Sequence, residues 1–140
     1  MTGREYFEQI RIMIDEKNAL RREVDELTAM ATAIGGFDYS KPDIQSTPGN
    51  VTEERIIKLA DATALYADAI SRLTDMILEA DHRLCGLSRS EYARVIRLRH
   101  LDAVRHRWGW IADEMGYAEQ TAKNLYRDAL TEFEKKYLGT

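Results

Sequence analysis

An all-α fold is predicted for this chain by three observations. Apolar residues recur every seven positions through two long stretches. The only prolines, Pro42 and Pro48, fall in one short segment. From residue 86 onward, glycine and capping signals cut the chain into shorter helices. The expected architecture is an N-terminal antiparallel, coiled-coil-like helical hairpin over residues 1–87, with a loop at 35–50. A C-terminal tri-helical helix-turn-helix domain over 88–140 follows it. Hydrophobic residues at 44% and charged residues at 31% suit a helix-rich chain with a core of its own.

The first helix is predicted from about Arg4 to Ile34. Gly3, Ile10, Lys17, Val24 and Ala31 occupy heptad position a, and Tyr6, Met13, Leu20, Leu27 and Ile34 occupy d. Lys17 is the one charged a residue, and its stem can pack while its ammonium reaches water. Gly35-Gly36, Pro42 and Pro48-Gly49 then end the periodicity and mark the loop.

The second helix is predicted over about Val51 to Cys85, capped by Asn50 or Thr52, with Glu53 and Glu54 in its first turn. Ile56, Thr63, Ile70, Ile77 and Leu84 fall at a, and Leu59, Tyr66, Leu73, Ala80 and Leu87 at d. Ala60 and Ala67 at e, with Ala62 and Ala69 at g, widen the apolar stripe, while Asp61, Asp68 and Asp75 face outward at f. That extra width predicts docking on another copy, with a dimer favoured.

Gly86 ends this helix, and Ser88-Arg89-Ser90-Glu91 reads as a capping box for the next. That helix, about Ser90 to Asp102, is expected to bury Tyr92, Val95, Ile96, Leu98 and Leu101. Two more are predicted at about Trp108–Met115 and Glu119–Tyr137.

Charge divides along the same line. Residues 1–87 hold 10 Lys and Arg against 16 Asp and Glu, net −6, whereas residues 88–140 hold 10 against 8, net +2. Arg89, Arg94, Arg97, Arg99, Arg105 and Arg107 crowd one segment, against Glu91 and Asp102. An acidic assembly half and a half able to meet a polyanion or an acidic partner are implied.

Other functions find little support. No apolar run approaches the roughly 20 residues a membrane span needs, and Met1–Glu5 has no apolar core of a signal peptide. The single cysteine, Cys85, suits a reducing cytoplasm. The Asn50-Val51-Thr52 sequon is therefore read as chance. His82 and Cys85 are spaced as a helical ligand pair, but no second pair completes a zinc site. His100 and His106 lie among arginines, where phosphate contact or solvent exposure is expected. No phosphate loop or hydrolase motif occurs, so neither enzymatic activity nor a cofactor is expected.

The stretch 108–130 meets the requirements of a helix-turn-helix. Trp108, Ile111, Ala112 and Met115 form the inner face of a short helix, and Gly116 can close it in the left-handed conformation. Ala122, Leu125, Ala129, Leu130 and Phe133 form the buried stripe of a longer helix. Its N-terminal half then offers polar side chains to a major groove.

Trp108-Gly-Trp-Ile111-Ala112-Asp-Glu-Met115-Gly116-Tyr117, with Ala122, Leu125, Tyr126 and Ala129-Leu130, resembles the helix-turn-helix of region 4 of sigma-70-type factors. Ile96-Arg97-Leu98-Arg99-His100 resembles the segment before that motif. The layout is similar to small phage-encoded late-transcription regulators of the ArpU/RinA type. The resemblance implies a double-stranded DNA partner, a cytoplasmic place in a bacterial host and RNA polymerase as a further partner. By position it implies base reading by Gln120, Thr121, Lys123, Asn124 and Arg127, with Arg105 and Arg107 holding phosphates. Ala118 stands where Ser or Thr usually caps the reading helix, Gly109-Trp110 replaces an acidic pair, and the turn before Trp108 is longer. Glu119 adds repulsion toward phosphate. Weak binding by one subunit follows, with a second subunit or polymerase supplying the rest. The alternative is a coiled-coil adaptor or a phage packaging and assembly protein, terminase small-subunit-like, whose helix-turn-helix serves protein contacts.

Overall fold

The computed structural model describes residues 1–35 and 49–139, so the expected loop lies almost wholly outside the described residues. Among these residues every regular element is helical. The order is α1 (Gly3–Gly35), α2 (Gly49–Leu84), α3 (Ser90–Ile96), a π-helical segment (Arg97–Leu101), α4 (Trp108–Met115) and α5 (Glu119–Tyr137). No described helix is long and apolar enough to cross a membrane.

Local chemistry sets most boundaries, with two corrections. The capping box forms at α1 instead of α3. The Glu5 amide donates to Thr2 Oγ1 at 3.1 Å, and the Thr2 amide donates back to Glu5 Oε2 at 3.4 Å. At α3 the N-cap is Arg89, with no side-chain cap. The Ser88 amide donates to Glu132 on α5 at 2.9 Å. Glu91 instead receives the Arg89 guanidinium at 2.9 Å and the Tyr117 hydroxyl at 2.5 Å. Tertiary partners have displaced the local motif. The second correction concerns α2, which starts at Gly49, ahead of the expected caps, so Glu53 and Glu54 lie beyond a first turn that holds no acid.

The contacts do not divide the chain at Leu87. One unit comprises Met1–Asp15 with Arg72–Thr140, and the other comprises Glu16–Ser71. The start of α1 and the end of α2 therefore belong with α3, α4 and α5.

In the first unit α5 packs against both α3 and α4. Phe7, Ile10 and Ile14 of α1 join Leu84, Val95, Ile96, Ile111 and Phe133 in a common core. The Phe7 and Phe133 rings lie 4.7 Å apart, and Tyr6 stands edge-on to Phe7 at 5.0 Å. Each such side chain contributes about 1.5–3 kcal/mol of burial. Gly86 keeps the α2–α3 corner narrow, since a Cβ there would lie 2.0 Å from the Tyr137 hydroxyl.

Arg11 is the least expected member of this interior, with an exposure of 0%. Its guanidinium donates to the carbonyls of Asp102 at 2.6 Å, Ala103 at 3.2 Å and His100 at 3.5 Å, and to Asp15 at 2.9 Å. It thus satisfies carbonyls at the C-terminal end of the π-helical segment, which has no further turn to do so.

The second unit comprises the rest of α1 and the first part of α2. On α1 the half-buried residues, including Lys17, Leu20, Val24 and Leu27, follow the expected a and d positions. On α2 the stripe is rotated. Ala62 and Ala69 at g are buried and Leu59 and Tyr66 at d are half-buried, but Ile56, Thr63 and Ile70 at a are exposed. The packed stripe of α2 thus runs along d and g instead of a and d, while the alanines at e, Ala60 and Ala67, stay exposed.

Candidate functional site

The α4–α5 corner is closed by its own backbone. Gly116 adopts φ 75°, ψ 29°. The Tyr117 amide donates to the Ala112 carbonyl at 2.9 Å and the Gly116 amide to the Asp113 carbonyl at 3.2 Å, the paired bonds of a Schellman turn. Ile111 and Ala112 of α4, with Ala122, Leu125, Ala129 and Phe133 of α5, are buried. Trp108, Met115 and Leu130 are half-buried against the same core. These assignments follow the sequence expectation residue by residue.

Burying that stripe presents the opposite face of α5. Gln120, Thr121, Lys123 and Arg127 are exposed and Asn124 is half-exposed, all on the N-terminal half of the helix. Gln120 donates to Asn124 at 3.1 Å, and Lys123 pairs with Glu119 at 3.2 Å. Arg127 lies 3.9 Å from Asp128. Ala118 is the N-cap of α5 and supplies no side-chain bond, leaving the first-turn amides without that partner.

The six arginines of 89–107 are not a free cationic strip. Arg94 donates to the Glu114 carbonyl and Arg97 to Asp81, each at 2.9 Å, and Arg99 donates to the His106 carbonyl at 2.7 Å. Arg89 holds Glu91. Arg105, assigned from sequence to phosphate contact, pairs with Glu8 at 2.8 Å and lies 3.6 Å from Asp15. Burial pushes the Glu8 carboxyl up, but the bond and charge of Arg105 together hold it below its ordinary value. Arg107, the other phosphate candidate, is exposed at the N-cap of α4.

Both histidines depart from expectation. His100 is 3% exposed, stacked between Phe7 and Tyr126, with Nε2 2.6 Å from the Tyr126 hydroxyl. Burial lowers its pKa to about 4, so it is a neutral core residue at neutral pH. His106 is half-buried, with Nε2 2.6 Å from Asp102 Oδ2. That bond holds the Asp102 carboxyl below its usual range. Trp110, 41% exposed, stacks on the His106 ring at 3.7 Å. The long turn before α4 is thereby tied down.

Sequence reasoning missed Arg4 and Glu8, which border one cavity with Arg99 and Lys123. Arg4 and Glu8 sit at outer heptad positions and read as solvated charges. No family model matches this chain, and neither the curated proteins nor the solved structures yield a match.

Proposed function

We propose that this chain is a sequence-specific DNA-binding transcriptional regulator of the phage or prophage kind, acting as a homo-oligomer with RNA polymerase as a further partner. One observation carries the reading. Gln120, Thr121, Lys123, Asn124 and Arg127 share the outward N-terminal half of α5, directly after a Schellman turn that follows a short packed helix. Gln and Asn can bond adenine bidentately and Lys can donate to guanine acceptors. Arg107 supplies a phosphate contact, and Arg105 supplies another once it exchanges Glu8 for phosphate.

In a dimer, two α5 helices would read half-sites about one helical turn apart. Self-association is supported by the uncharged outer face of α2, where Ile56, Ala60, Thr63, Ala67 and Ile70 are all exposed. Selection from a random duplex library, with and without RNA polymerase, tests the reading. Enrichment of one motif is expected, with affinity falling steeply as salt rises. Lys123→Ala and Arg127→Ala should each weaken retention without loss of helicity, and unchanged retention by both would sink the assignment.

A second reading is an adaptor or packaging and assembly protein without DNA contact. It draws support from the intramolecular bonds that engage most of the 89–107 arginines and from the Glu119–Lys123 pair. No enrichment in either arm of the selection would favour it.

A further inference from the structure

A cavity of about 470 Å³ opens in the first unit, bordered by Arg4 and Glu8 of α1, Arg99, Arg105, Trp108, and Lys123 of α5. That volume falls in the range of small-molecule pockets and exceeds the needs of a bare ion. Four cations stand against one carboxylate at its border.

The cations differ in how far they are already satisfied. Arg105 is held by Glu8, and Lys123 by Glu119. Arg4 and Arg99 have no carboxylate within ion-pair distance among the described residues. Arg99 is also preorganised, because its bond to the His106 carbonyl fixes the guanidinium 4.8 Å above the Trp108 ring centroid. A planar fork held in place loses little entropy on binding a phosphate.

The remaining wall is polar but uncharged. The Tyr126 hydroxyl and His100 Nε2 share a hydrogen bond of 2.6 Å whose direction follows the imidazole tautomer, and burial raises the Tyr126 phenol, so both groups are neutral at neutral pH. His100 Nδ1 is buried without a hydrogen-bond partner, with Glu8 Oε2 3.5 Å away outside bonding geometry. A buried imidazole nitrogen without a partner leaves unused polar capacity in the wall of a cationic recess.

We propose that this cavity binds the terminal phosphate of a small phosphomonoester of nucleoside monophosphate size. Arg4 and Arg99 take the phosphate oxygens, and the Trp108 side provides wall for the body of the ligand. A terminal phosphate can enter a recess whose border comes from several elements, whereas a duplex phosphodiester is tethered on both sides. The assignment does not depend on α5 reading DNA.

Calorimetric titration of the full chain with inorganic phosphate and with AMP, at neutral pH and low ionic strength, tests it. Saturable one-to-one binding is expected, tighter for AMP than for phosphate. Arg4→Gln, which removes no ion pair seen in the fold, should weaken AMP about tenfold and leave the melting temperature of the free protein unchanged. Absence of saturable binding, or AMP affinity unchanged from that of the natural chain in both Arg4→Gln and Arg99→Gln, would overturn the proposal. So would an Arg4→Gln defect confined to duplex DNA, which would identify the phosphate as a backbone phosphodiester.

Discussion

Arg11 of α1 donates to the carbonyl of Asp102 at 2.6 Å, joining two residues 91 positions apart in sequence. The same guanidinium bonds Ala103 and reaches His100, so one side chain closes the end of the π-helical segment. Removing it takes a charged donor from one buried and two part-buried carbonyls and opens a cavity. Arg11→Met should therefore cost about 2–4 kcal/mol in urea unfolding. Arg11→Lys should recover little, because an ammonium cannot address three carbonyls and a carboxylate from one plane. Full recovery by lysine would show that charge alone matters.

His100 sets a pH dependence. Its folded pKa, about 4 through burial, lies below the ordinary value of 6.5. The unfolded chain then binds the proton more readily, so this contribution is complete above pH 6.5 and is lost as pH falls toward 4. The loss should amount to about 3 kcal/mol across that window. Glu8 and Asp102, whose carboxyls are lowered, lose their contributions only in the carboxylate range, leaving pH 6.5 to 5 to His100. Denaturant midpoints measured across those values should slope in the natural chain and flatten in His100→Gln.

At the start of α5, Ala118 has the extended backbone of an N-cap, φ −68° and ψ 152°, without an acceptor on its side chain. Ala118→Ser requires no backbone change and adds that acceptor. A gain of about 1 kcal/mol is expected, seen as a rise of a few degrees in the calorimetric midpoint. No rise would mean that the first-turn amides are already satisfied in solution.

Ile70 is 38% exposed and Ile56 56% exposed on the outer face of α2. If that face joins two copies, Ile70→Glu places a carboxylate in the contact of each. Light scattering should then move from a dimeric to a monomeric mass with helicity retained. A natural chain that is monomeric at high concentration would remove the oligomer from the proposed function.

Sequence reading served well where a signal and its consequence lie within one helical turn. Gly116 between two amphipathic stretches specified the α4–α5 corner, and its polar residues fell on the face left over. It served less well where distant partners compete for the same group. Ser88 to Glu91 spelled a capping box, yet Glu132 and Tyr117 reached those residues first. Thr2 and Glu5 carried the same spelling and did form the box, so that signal was available. On α2, isoleucines at a and alanines at g each trace a helical stripe, and periodicity cannot rank them. Arg11 lay on the outer face of the predicted coiled coil, where nothing marks an arginine destined for the interior.

The first unit also constrains how the protein can be made. Gly3 donates its amide to Glu134 at 2.6 Å, across 131 positions of sequence. Phe7 meets Phe133 in the same core. A ribosome therefore releases Phe7 and Ile10 long before their partners exist, and the core cannot close until α5 has emerged. Non-local closure of this kind slows folding and leaves apolar surface exposed meanwhile. Premature termination within α5 would yield a chain that cannot complete that core, however well its long helices form.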